Sequence, residues 1–225
     1  MAFKLIIFDL DGTLADSSID IANAINYALE VYHVPVITVP QTISLIGEGI
    51  TRLFDKIIQS NNLTADRSVL ISRFLEHYSA HIVDNTTIYP GVRETLEALD
   101  GYSKAVISNK REDLSTSALV LLGIREYFDL IVGSDTTSER KPSPVPIHYV
   151  LSRLDIKPDD AVIVGDSNLD IEAGKAAGTA TIAVTYGYRP LNMLGGADHI
   201  VDSMPEILKI IEESNRRVKK LWKIC

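Results

Sequence analysis

The sequence predicts an α/β protein, a doubly wound, Rossmann-like parallel sheet core with an inserted α-helical domain. Three observations predict it: a nearly continuous apolar run at Phe3 to Leu10, some seventy residues of helical periodicity after it, and regular strand–helix alternation beyond Pro90-Gly91.

The first run closes on Asp-Gly and reads as a strand buried on both faces. Apolar residues then recur at helical spacing over Ser18 to Tyr32, Ile50 to Gln59 and Asp66 to Val83, with Thr64 the expected N-cap of the third helix. Past Gly91, strands are expected at Lys104 to Ile107, Asp129 to Val132, Ala161 to Val164, Thr181 to Val184 and His199 to Val201. Helices fill the gaps at Val92 to Leu99, Asp113 to Leu122, Val145 to Leu154 and Leu169 to Ala177, with Gly123 and Gly178 placed for left-handed caps. A first strand of the sheet separated from the second by a helical block implies an insertion. The expected division is a core of residues 1–15 and 86–225 and a helical cap domain of residues 16–85.

Composition narrows the function. The 225 residues are 46% hydrophobic and 23% charged, enough for one sizeable core and a smaller companion. No apolar run approaches the roughly 20 residues that span a bilayer, so no membrane association is expected. The only cysteine is Cys225, which rules out an intrachain disulfide and suits a reducing, cytoplasmic setting. A net charge of −8 opposes non-specific nucleic-acid binding. Arg216, Arg217, Lys219, Lys220 and Lys223 break the acidic trend; they read as a solvated terminal helix, with a docking site for a partner or an anionic surface as the alternative.

In open parallel sheets, ligands collect at the carboxyl ends of the strands. Four polar clusters fall at such ends or in adjoining loops: Asp9-Leu10-Asp11-Gly12-Thr13, Ser108-Asn109-Lys110, Lys141-Pro142, and Gly165-Asp166 with Asp170 one helical turn on. Each is weak alone; their order and placement point to one site. Two carboxylates in alternation suit phosphoryl chemistry, since one can attack phosphorus while the other reaches the leaving group. Crowded acidic groups need positive charge, and a hard divalent cation with oxygen ligands supplies it. Gly12 reads as a position of backbone freedom and Thr13 as a local hydroxyl hydrogen bond. His77 and His81 stand four apart but lack a third metal ligand, and read as a structural or exposed pair.

The four clusters resemble the four motifs of the haloacid dehalogenase superfamily, carried most specifically by Phe8-Asp9-Leu10-Asp11-Gly12-Thr13-Leu14. Within it, the helical insertion, Ser108-Asn109-Lys110 and Lys141-Pro142-Ser143-Pro144 are most similar to phosphoglycolate phosphatases and their near relatives, and Gly47-Glu48-Gly49 resembles their substrate-specificity loop. The resemblance implies a Mg2+-dependent phosphatase working through a phosphoaspartate on Asp9. It implies Mg2+ ligands from the Asp9 side chain, the Asp11 backbone carbonyl and the Asp166 side chain, with Asp170 orienting Asp166 or a bound water. Asp11 would serve as general acid and base, Ser108 would donate to a phosphoryl oxygen, and Lys141 would neutralise nucleophile and phosphoryl group together. Asn109 and Lys110 would touch substrate or cap the following helix. The implied partner is a small phosphorylated metabolite, 2-phosphoglycolate first, and the chain itself is expected to be a monomer or homodimer. Inorganic pyrophosphate and sugar phosphates are the alternatives, with a β-phosphoglucomutase-like phosphotransferase or a non-catalytic scaffold behind them.

Overall fold

The computed structural model describes residues 2–221, with side chains through 215. The first strand is β1 (Leu5–Phe8); β2 (Ala15–Asp16) then leads into four helices, α1 (Ser18–Leu29), α2 (Val39–Leu45), α3 (Ile50–Ser60) and α4 (Arg67–Ala80), and β3 (Thr87–Ile88) leads out of them. The rest alternates: α5 (Val92–Ala98), β4 (Ser103–Ile107), α6 (Glu112–Leu121), β5 (Leu130–Val132), α7 (Val145–Leu154), β6 (Ala161–Gly165), α8 (Asn168–Ala177), β7 (Ala180–Val184), β8 (His199–Val201) and α9 (Glu206–Leu221).

Six strands form a parallel sheet in the order β5-β4-β1-β6-β7-β8. The chain winds outward from β1 in both directions, so the switch point lies at the end of β1, the strand that ends one residue before Asp9. Side-chain alternation along β1 explains its unbroken apolar run. Leu5 and Ile7 join Ile147, Val150 and Leu151 of α7 on one face, while Ile6 and Phe8 join the core that continues into the helical block on the other.

The four-helix block enters and leaves through a two-stranded antiparallel ribbon, with Ala15 opposite Ile88 and Asp16 opposite Thr87. Asp20, buried at the start of α1, ties the return segment down: its carboxylate accepts from the N–H groups of Asn85 and Thr86, the Asn85 side chain and the Thr86 hydroxyl at 2.7–3.1 Å. Burial alone would raise this carboxyl, but those bonds outweigh it and hold it below the usual range.

Some expectations need correction. The third anticipated helix is capped by Asp66, whose side chain accepts from Ser68 N–H at 2.8 Å, and not by Thr64. Helix α2 was not anticipated; Thr38 and Gln41 form a reciprocal capping box at its start. The hydroxyl of Thr13 makes no hydrogen bond among the described residues, so its expected local bond is absent. Gly123 and Gly178 do adopt positive φ after α6 and α8. The side chains of the basic cluster from Arg216 to Lys223 lie outside the described residues. Among those described, no helix is long and apolar enough to cross a membrane.

Candidate active site

The residues that follow β1, β4 and β6 meet, with Lys141, at one end of the sheet. Lys141 is the hub. Its ammonium, 3% exposed as a residue, contacts Asp9 Oδ1 at 2.8 Å and donates to Asp170 Oδ1 at 2.6 Å and the Ile107 carbonyl at 2.7 Å. Burial alone would depress this lysine, yet Asp170 and Asp9 more than compensate and hold it charged well above its ordinary range.

The carboxylates are in the opposite position. Burial pushes Asp9 well above the ordinary carboxyl range; Lys141 opposes that, and Asp170 and Asp166 add to it. Burial, then repulsion from Asp170, pushes Asp166 up to about 7, against the opposing bond from Tyr188 N–H and the charges of Arg189 and Lys141. One ammonium therefore does not neutralise the cluster. Oxygens of Asp9, Asp166 and Asp170 lie within 4.8 Å of one another, a hard-oxygen set into which a divalent cation fits.

The three acids are not equivalent. Asp170, expected to orient Asp166 or a water, instead engages Lys141 through Oδ1 and accepts from Ser167 N–H and Oγ through Oδ2 at 3.1 and 2.6 Å. On Asp9 the protein's hydrogen bonds and ion pair fall on Oδ1, and on Asp166 the bond falls on Oδ2. That leaves Asp9 Oδ2 and Asp166 Oδ1 without a protein donor among the described residues. Space around Asp166 is scarce: a Cβ on Gly12, which has φ +87°, would fall 2.4 Å from its Oδ2, and one on Gly187 would fall 2.3 Å from its Cβ. Gly12 is thus required both for its backbone conformation and for this close approach.

Asp11 stands apart. Its Oδ1 accepts from Ser17 Oγ at 2.5 Å and Lys110 Nζ at 2.6 Å. Lys110 also donates to the hydroxyl of Tyr78 at 2.8 Å, and burial pushes that phenol up to about 12. Ser108 Oγ accepts from Lys110 N–H at 3.2 Å, which leaves its proton free to be donated elsewhere. Asn109 donates to the carbonyls of Gly47 and Lys141 at 2.7 and 2.8 Å. Neither Asn109 nor Lys110 caps α6, whose N-cap is Arg111. The histidine pair stacks at 4.5 Å on α4 and its cap, His81 bonds Asp84, and neither ring lines the site.

These groups line a cavity roofed by the helical block. The core wall supplies Asp9, Asp11, Ser108, Lys141 and Asp166, and the block supplies Leu45, Ile50, Leu53, Phe74, Tyr78 and the Gly47–Gly49 turn. Sequence reasoning missed the segment after β7. Tyr188 gives its N–H to Asp166 at 2.6 Å and accepts from Ser17 N–H at 2.9 Å. Arg189 crosses to the block, donating to the Ile43 carbonyl at 2.8 Å and to that of Ile46. No motif marks these residues; the only signal is their position after a strand of the sheet.

A doubly wound sheet that gathers carboxylates around one buried lysine at its switch point defines an α/β enzyme with a carboxylate centre. The sequence profile described as haloacid dehalogenase-like hydrolase matches residues 6–184, and the chain belongs to that family. It is 39% identical over 215 residues to a phosphoglycolate phosphatase of Chromobacterium violaceum, covering 93% of this chain and 96% of that protein. It is 42% identical over 191 residues to one of Aquifex aeolicus, covering 84% and 88%. A crystal structure of a predicted phosphoglycolate phosphatase from Haemophilus somnus 129PT superposes with a TM-score of 0.86 at 35% identity, covering 92% of this chain and 97% of that one.

Proposed function

We propose that this protein is a Mg2+-dependent phosphatase that hydrolyses a small phosphomonoester, 2-phosphoglycolate first among candidates, through a phosphoaspartate on Asp9. The observation that carries this reading is the placement of Lys141 between Asp9 and Asp170, with an oxygen of Asp9 and one of Asp166 left without protein donors among the described residues. The substrate class comes from the activity named for the relatives and from a cavity with room for a small leaving group.

In this reading Asp9 attacks phosphorus through its carboxylate, which is held by Lys141 and by the Leu10 N–H, the latter donating to Oδ1 at 2.7 Å. Lys141 offsets charge on nucleophile and phosphoryl group together, and the free Ser108 proton is donated to a phosphoryl oxygen. Asp11 protonates the leaving alkoxide, then takes a proton from the water that cleaves the acyl phosphate. Asp9, Asp166 and the Asp11 carbonyl would hold Mg2+, with Asp170 outside them. The bound cation supplies positive charge to the phosphoryl oxygens and lets the clustered carboxylates stay ionised. Residues 16–85 act as the cap that selects the leaving group and excludes water during transfer, over a core of residues 1–15 and 86–225.

The test is turnover of 2-phosphoglycolate, p-nitrophenyl phosphate, inorganic pyrophosphate and a panel of sugar phosphates, with Mg2+ and with a chelator, ranked by kcat/KM. Chelator-sensitive hydrolysis led by 2-phosphoglycolate is expected. No metal-dependent turnover of any ester by folded protein would overturn the reading.

A further inference from the structure

One chain of contacts runs from the helical block to the second aspartate. Tyr78 on α4 is 1% exposed, and its hydroxyl accepts from Lys110 Nζ at 2.8 Å. The same ammonium donates to Asp11 Oδ1 at 2.6 Å and lies 5.1 Å from the Tyr78 ring centre. Ser17 Oγ reaches that same oxygen at 2.5 Å, and Ser17 N–H is fixed on the Tyr188 hydroxyl. Both side-chain bonds to Asp11 thus fall on Oδ1, which leaves Oδ2 without a protein donor among the described residues, and Asp11 lines the cavity.

Lys110 is costly to bury: its side chain is 8% exposed, and an ammonium out of water needs its partners. One partner is in the core and the other is on α4. The other side chains that the block's helices present to the cavity, among them Leu45, Ile50, Leu53 and Phe74, are hydrocarbon, so among them the Tyr78 hydroxyl alone offers Lys110 a polar partner, while Ser17, where the chain enters the block, bonds Asp11 directly. We propose that Tyr78 and Lys110 are positioning residues for Asp11. Seating α4 against the core brings the Tyr78 hydroxyl to Lys110, Lys110 with Ser17 clamps Asp11 Oδ1, and Oδ2 is aimed at the leaving group. The second aspartate is thereby set when the block is docked. This rests on Asp11 acting as the acid in a phosphatase.

A leaving group that needs no proton separates positioning of the acid from general damage. Single-turnover phosphoenzyme formation is measured from an alkyl phosphomonoester, whose alkoxide must be protonated, and from p-nitrophenyl phosphate, whose phenolate leaves unaided. Tyr78→Phe is expected to slow transfer from the alkyl ester about 10-fold and from p-nitrophenyl phosphate less than about 2-fold, with KM for both nearly unchanged. In an Asp11→Asn background the same change adds nothing further, as expected of residues acting as one unit. Lys110→Met shows the same leaving-group contrast more strongly, and Lys110→Arg recovers part of it. Equal losses on both esters, or full additivity with Asp11→Asn, would overturn the proposal. A readout independent of chemistry is amide hydrogen exchange: Tyr78→Phe is expected to speed exchange over residues 11–17. A wild type that turns over neither ester defeats the phosphatase reading instead, and unchanged exchange over that segment still overturns the coupling.

Discussion

The two walls of the cavity are built on different principles. The core wall holds charge: Asp9, Asp11, Asp166, Lys110 and Lys141 line it, each fixed through its side chain, with Asp170 behind Lys141. The wall from the helical block is hydrocarbon apart from Tyr78, and the core grips it largely by the backbone, since Asn109 and Arg189 bond the carbonyls of Gly47, Ile43 and Ile46. Charge is thus concentrated on one wall and hydrocarbon on the other.

Breaking the core wall is expected to cost most. Asp9→Asn removes the proposed nucleophile, so kcat is expected to fall by about 10^3-fold or more with no covalent phosphate trapped on acid quench. Next is Lys141→Met, which leaves Asp9 and Asp170 facing each other unpaired; kcat is expected to fall about 10^2- to 10^3-fold, and thermal unfolding without Mg2+ moves down. Arg189→Ala touches the other wall. It removes two bonds to the block and leaves the carboxylates in place, so KM is expected to rise about 10-fold with kcat changing far less. An equal loss in kcat would show that the walls are not separable in this way.

The smallest effect concerns protons. Asp166 is raised from 3.8 to about 7 by burial and Asp170. A raised acid binds more protons folded than unfolded across that interval, so its contribution favours the folded state at low pH and is lost as pH rises from about 4 through 7. Metal-free protein is therefore expected to lose stability through this interval. Mg2+, which competes with those protons, is expected to raise Tm by several degrees at pH 8 and by less at pH 5.5, read by differential scanning fluorimetry.

Much of the core wall is legible in the sequence for a physical reason. Strands buried on both faces leave unbroken apolar runs such as Leu5–Phe8, and a parallel sheet gathers the residues just beyond such runs at one end. Asp9, Asp11, Ser108 and Asp166 can therefore be grouped from the chain order alone. The strands β2 and β3, two residues each, carry no periodicity to detect. Thr38 and Gln41 have the spacing of a capping box, but the seven residues of α2 are too few for a helical period to stand out behind it. The bond between Lys110 and Tyr78 joins residues 32 apart, and those from Arg189 span more than 140; neither pairing is encoded locally. The bond between Lys141 and Asp170 is likewise hidden in the sequence, because Lys141 lies on a loop whose path is invisible in one dimension.

The antiparallel ribbon of Ala15–Asp16 and Thr87–Ile88 brings the two ends of the helical block side by side. Directly opposed residues in such a ribbon sit about 5 Å apart. A different insert whose termini lie equally close could be spliced there without moving a strand of the catalytic sheet. The fold thus carries its helical block as an insert on a ribbon whose strands are two residues long.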